Sequence, residues 1–157
     1  MFIHALYSSL PKATCESILE KTAKHTELFT ELKRFPDWSS LCFSLEEVLN
    51  RTSAQYLSMP SLVLSSLHYA RYNSSNFANY FTPLGDLTCI VILNDSKEGS
   101  IVFRESSVPE EANTQGTILI FDSSLNYIVS RVREGEKSFL ISYFDIEERP
   151  KAGQQRK

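Results

Sequence analysis

Apolar and polar positions alternate in two different rhythms along this chain, and the change comes near Pro60. Before it, the short run "FIHALY" (residues 2–7) predicts a strand, and Pro11 suits the first turn of a helix, where its missing N–H is no loss. From residue 12 to about 28, Ala13, Ile18, Leu19, Ala23 and Leu28 recur near one face, which predicts an amphipathic helix. "RFPDWSSL" interrupts it, and Ser44 with Glu47 forms an S-x-x-E pattern that predicts a second helix over 45–57, ended by Met59-Pro60. After Pro60 the rhythm is that of strands: residues 61–72, 87–94, 100–104, 116–122, 126–133 and 137–146, linked by "NDSKEG", "VPEEANTQG", "SSL" and "EGE". Short strands at close spacing predict an α+β protein, a sandwich or jelly roll with two N-terminal helices packed on its outside. The apolar last strand, "SFLISYFDI", would either pair with a second copy in a homodimer or be covered by an N-terminal helix. Residues 1–146 read as one domain. Residues 147–157 have no apolar periodicity, end basic, and read as a disordered tail.

Composition narrows the classes. A chain of 157 residues is long enough for one real core, and 42% hydrophobic with 22% charged residues is ordinary for a globular domain. A net charge of -3 gives no general attraction to nucleic acid or anionic lipid. Cys15, Cys42 and Cys89 are scattered and odd in number, which argues against a disulfide framework or a zinc site and for small buried side chains. The N-terminus has no signal-peptide pattern, and no window approaches the roughly 18 apolar residues of a membrane span. The expectation is a cytoplasmic protein with no membrane partner, in which the sequons at Asn50, Asn73 and Asn94 are chance matches.

Candidate chemistry is sparse. His4, His25 and His68 are the three histidines of the sequence. His25 and Glu27 form H-x-E inside the first predicted helix, and residues two apart on a helix diverge, so they make no chelate. His4 and His68 sit alone on strands and read as hydrogen-bonded structural residues. No phosphate loop, dinucleotide fingerprint, nucleophile elbow or zinc-protease motif occurs.

The order of segments nevertheless resembles the prolyl 4-hydroxylase type of 2-oxoglutarate- and iron-dependent dioxygenases. "HALYSSLPKATCESILEKTAK" is similar to the family's opening strand, leucine-proline step and helix with a Cys in its first turn. "LSSLHYARYN" resembles the strand before its metal motif, "LTCIVILND" its strand ending in leucine-asparagine-aspartate, and "KEGSIVF" its glycine-led strand. "NTQGTILIFDSSLNYIVSRVREGEKSFLISYF" is similar to its closing third, so the likeness runs from about His4 to Phe144. The resemblance implies a double-stranded β-helix, and for an active member a facial triad of two His and one carboxylate on Fe(II). At the H-x-D positions this chain has Tyr80 and Thr82, and at the second histidine, five residues before Val132, it has Tyr127. The resemblance therefore implies a protein that has lost iron-dependent hydroxylation and acts by binding, with a protein or peptide as partner and no cofactor expected. Two tyrosines in place of imidazoles would either close the former metal pocket or leave a polar cleft. Lys137, in "GEK", matches the basic residue that pairs with the distal carboxylate of 2-oxoglutarate; it reads either as an anion site or as a hairpin lysine open to water. Two other readings stand. An active hydroxylase would use Fe(II) and 2-oxoglutarate, with His68 and His4 converging on Asp86 or Asp122. An unrelated β-sandwich module would reach nucleic acid through the basic tail.

Overall fold

The computed structural model describes residues 3–7, 9–23, 29–32, 38–52, 61–74, 85–104 and 108–146. Strand β1 (Ile3–Leu6) leads into helix α1 (Lys12–Thr22), strand β2 (Phe29–Glu31) and helix α2 (Ser39–Thr52). The strands β3 (Leu62–Tyr72), β4 (Leu87–Ile92), β5 (Ile101–Phe103), β6 (Ile118–Asp122), β7 (Tyr127–Val129) and β8 (Lys137–Ile146) follow, with a 3₁₀ turn at Glu110–Ala112 between β5 and β6. Six strands form an antiparallel sheet in the order β1-β6-β4-β8-β3-β2, and β5 pairs with β7 in a second, two-stranded sheet.

Strand alternation divides the sheet's side chains between two cores. The outer face presents Leu64, Leu67, Tyr69, Cys89, Val91, Ile118, Ile120, Leu140 and Phe144, and the helices cover it with Cys15, Ile18, Trp38, Leu45 and Leu49. Each fully buried leucine there contributes about 1.5–3 kcal/mol. The apolar outer face of β8 is thus covered within the chain, as one of the two expectations had it. The inner face carries Ala70, Tyr72, Ile90, Ile92, Leu119, Phe121, Phe139, Ile141 and Tyr143, and packs against Ile101, Phe103, Tyr127 and Val129 of the small sheet. Every residue of β4 is buried because this strand is central and covered on both sides. The architecture is an antiparallel, jelly-roll-like body with two helices on one face.

The strands follow the predicted segments closely; the helices depart from them. Helix α2 begins at Ser39, six residues earlier than the S-x-x-E pattern implies, because the buried Trp38 and the partly buried Leu41 and Cys42 extend the stripe of Leu45 and Leu49. Ser44 is therefore an exposed mid-helix residue rather than a cap. Residues 53–57 of the predicted second helix, like His25 and Glu27, lie outside the described residues. Helix α1 closes at Thr22, whose hydroxyl donates to Ile18 O at 2.7 Å while Arg71 Nη2 donates to Thr22 O at 2.9 Å. Cys15 and Cys89 are buried as expected, whereas Cys42 is half-buried at the rim of the helix layer.

Candidate functional site

The inner face becomes polar in one region. Along β3 the alternation that buries Ala70 inward also turns His68 and Tyr72 inward; along β8 it turns Lys137, Phe139, Ile141 and Tyr143 inward. Tyr127 joins them from β7. Tyr72, Tyr127 and Tyr143 are 2%, 6% and 1% exposed, so all three phenols lie inside the body. Tyr127 is held edge-on by Phe121, ring centroids 5.4 Å apart, and tilted against Phe103 at 6.3 Å. Tyr72 meets Phe139 edge-to-face at 5.8 Å, and His68 meets Tyr143 likewise at 6.0 Å.

The hydroxyls of Tyr72 and Tyr127 have no hydrogen-bond partner among the described residues. Tyr127 and Tyr143 approach each other and interact, without reaching ordinary hydrogen-bond geometry. Burial raises the pKa of all three phenols, and at Tyr72 and Tyr127 the neighbouring phenols raise it further. They remain neutral hydrogen-bond donors throughout the physiological range.

Lys137 is fully buried, so the solvent-exposed hairpin lysine does not describe it. Its Nζ donates to Asn94 O at 3.1 Å and Ser96 O at 2.7 Å, and it lies 6.0 Å from the centre of the Phe139 ring. Burial lowers its pKa to about 8, partly offset by the negative charge of Asp95. Asn94 braces the same turn: Nδ2 donates to Glu136 O at 2.8 Å, and Oδ1 accepts from Ser138 N at 3.1 Å. An ammonium has three donors, and two carbonyls leave one for a ligand.

The expected site residues are brought together only in part. Tyr127 and Lys137 both face the inter-sheet core; Tyr80 and Thr82 lie outside the described residues. The strands of His4 and His68 stand four places apart in the sheet, roughly 19 Å, too far to share an ion. Asp86 and Asp122 hold turns: Asp86 Oδ2 accepts from Ile146 N at 2.9 Å and Asp122 Oδ1 from Ser124 N at 2.8 Å. Among the described residues no group of three His, Cys, Asp or Glu could hold a metal. Sequence reasoning passed over Tyr72 and Tyr143, and treated His68 as isolated. The signal was available in the period-two spacing of Lys137, Phe139, Ile141 and Tyr143, which puts any inward lysine and tyrosine on one face.

No family model matches the chain, and no curated protein matches it in sequence. Its fold does match solved structures. The viral collagen prolyl hydroxylase of Paramecium Bursaria Chlorella virus-1, solved as a 2-oxoglutarate complex, superposes with a TM-score of 0.72 at 12% identity, over 94% of this chain and 97% of that one. A Pseudomonas putida prolyl-4-hydroxylase gives 0.69 at 10% identity, covering 93% of each chain. An oxidoreductase of the 2OG-Fe(II) oxygenase family from Burkholderia pseudomallei gives 0.67 at 13%, over 90% of this chain and 84% of that one. The chain thus has the fold of prolyl 4-hydroxylase-type 2-oxoglutarate/Fe(II) oxygenases. No described helix is long and apolar enough to cross a membrane.

Proposed function

We propose that this chain is a double-stranded β-helix protein of the oxygenase type that works by binding and not by iron-dependent hydroxylation. The carrying observation is Tyr127. At the position the resemblance gives to a metal-binding imidazole stands a buried phenol, caged by Phe103 and Phe121 and kept protonated by burial. A neutral phenol is a poor ligand for Fe(II), and Tyr80 and Thr82, at the other two positions, supply neither imidazole nor carboxylate. The residues present do not fit an iron centre. The remaining N–H of Lys137 supports a surviving anion site able to take a carboxylate such as that of 2-oxoglutarate. The partner in this reading is a protein or peptide.

Anaerobic titration with Fe(II) and 2-oxoglutarate tests it. The expected result is no visible charge-transfer band and no thermal shift from Fe(II) or Mn(II). A saturable band would restore the active-hydroxylase reading. A thermal shift with 2-oxoglutarate alone, lost in Lys137→Ala, is the result expected of the anion site.

A further inference from the structure

We propose that the small cavity between β4, β5, β6 and the 3₁₀ turn takes an aliphatic hydroxyl, the end of a threonine or serine side chain of the partner peptide, held by Asn113 and Ser100. The inference deepens the binding role proposed above and rests on it.

The amide of Asn113 has a fixed orientation. Its Nδ2 faces three acceptors of one turn, Ser96 O at 3.3 Å, Lys97 O at 3.4 Å and Ser100 Oγ at 3.3 Å. Two of these are carbonyls, which only accept, so the NH2 group and not the oxygen points that way. Asn113 Oδ1 is left buried and without a partner among the described residues. An unsatisfied buried acceptor costs about 1–3 kcal/mol. Ser100 Oγ accepts from Asn113 and keeps its own proton to give.

Both side chains line a cavity of about 30 Å³. That is roughly twice the space one water needs. The other walls are apolar and include Ile92, Ile101, Ala112 and Leu119, none more than 4% exposed. An ordered water makes about three hydrogen bonds, and this cavity sets two polar side chains in a wall of carbon. A hydroxyl carried on carbon uses the same two groups and lays its carbon against that wall.

Charge narrows the choice further. Ser96 O accepts from Lys137 Nζ at 2.7 Å as well as from Asn113 Nδ2. A ligand ammonium at Oδ1 would therefore lie near a buried like charge. A carboxylate would be drawn by Lys137, but it has no hydrogen for Oδ1 and would set its lone pairs against that oxygen. A ketone has no hydrogen to give either. A hydroxyl gives to Oδ1 and takes from Ser100 with one heavy atom, which suits a cavity of this size.

The test is NMR of the full chain with labelled Ile and Leu methyl groups. N-acetyl-threonine methylamide should shift the Ile92, Ile101 and Leu119 signals saturably and leave Ile18 and Leu49 of the helix-facing core unmoved. N-acetyl-valine methylamide, with a methyl in place of the hydroxyl, should bind at least fivefold more weakly. Ala112→Val fills the cavity and should abolish the response; Ser100→Ala should weaken it at least threefold, and carries the comparison if the valine variant does not fold. A saturable shift from 2-propanol alone would assign the site to a free alcohol and overturn the peptide source. No saturable shift, equal affinity for the valine derivative, an equal response to sodium acetate or isopropylammonium chloride, or unchanged affinity in the variants overturns the proposal. The iron titration is read separately: a charge-transfer band defeats the binding role itself, whereas a silent iron titration with no threonine response defeats only this site.

Discussion

The side-chain amide of Asn50 clasps the backbone of Leu62 from both sides. Its Oδ1 accepts from Leu62 N at 2.6 Å and its Nδ2 donates to Leu62 O at 3.0 Å. One helical turn earlier, Glu46 Oε2 accepts from Leu64 N at 2.9 Å. The two side chains of α2 thereby act as a substitute strand along the edge of β3, whose partner β2 reaches only Ala70 to His68. Asn50→Ala leaves both backbone groups of a buried residue without this partner and is expected to lower stability by about 1–3 kcal/mol in urea unfolding. Asn50→Asp keeps the acceptor and sets a carboxylate oxygen against Leu62 O, so it should destabilise as well. If Asp matched wild type, the donor half of the clasp would contribute nothing.

Lys137 gives the protein an alkaline signature. The unfolded chain holds this proton up to the ordinary value of 10.5, the folded chain only to about 8. Between those values the unfolded state binds more protons, so this residue's contribution to stability rises with pH. The difference in unfolding free energy between wild type and Lys137→Met should move toward the wild type by about 1–3 kcal/mol across that window. Cys15 and Cys89, pushed up to about 11 and about 12 by burial, and the three inner phenols act in the opposite sense from about pH 9 upward. They are present in both proteins and cancel in the difference.

Gly99 lies at φ +77, and a Cβ there would come within 2.7 Å of Lys137 Cβ and 2.9 Å of Val132 Cγ2. Gly99→Ala combines a left-handed backbone with overpacking against the buried lysine, and should cost about 2–4 kcal/mol. Lys137→Ala in the same chain keeps the Cβ contact but removes Lys137 Cγ, which lies 2.8 Å from the added Cβ, so it should recover part of that loss. Strictly additive destabilisation in the double variant would show that the two residues are uncoupled.

The thiols should separate cleanly. Cys42 is half-buried, while Cys15 and Cys89 are buried with raised pKa values. Ellman's reagent at pH 8 should label one thiol quickly and the other two only at the rate of unfolding. Cys42→Ser should abolish the fast phase.

Much of this was legible beforehand, for identifiable reasons. The strands after Pro60 carry period-two patterns bounded by turn residues, and every one of them formed. The order of segments pointed to the fold that the solved structures share. The start of α2 was misread because the S-x-x-E pattern of Ser44 and Glu47 is equally compatible with two neighbouring turns of a helix already under way. Strand β2 went unforeseen because three residues are too few to display a period. The site was legible in its identities and not in its meeting points. Lys137 looked like a hairpin residue by sequence, and only the carbonyls of Asn94 and Ser96, some forty positions away, explain how its charge is accommodated.

The strand order has a consequence for how the chain acquires its shape. β1 pairs with β6, joining Ile3 to Phe121, and β3 pairs with β8, joining Leu62 to Ile146. The central strand β4 is flanked on both sides by strands that come later in the chain. On a ribosome, therefore, β2–β3 and β1–β6–β4 can pair early, but the large sheet cannot be joined into one until β8, which lies between β4 and β3, has emerged. Until then the apolar faces of α1 and α2 have no complete sheet to cover. Such a high-contact-order topology predicts slow folding, and a nascent chain that depends on chaperones for longer than a helical bundle of equal length.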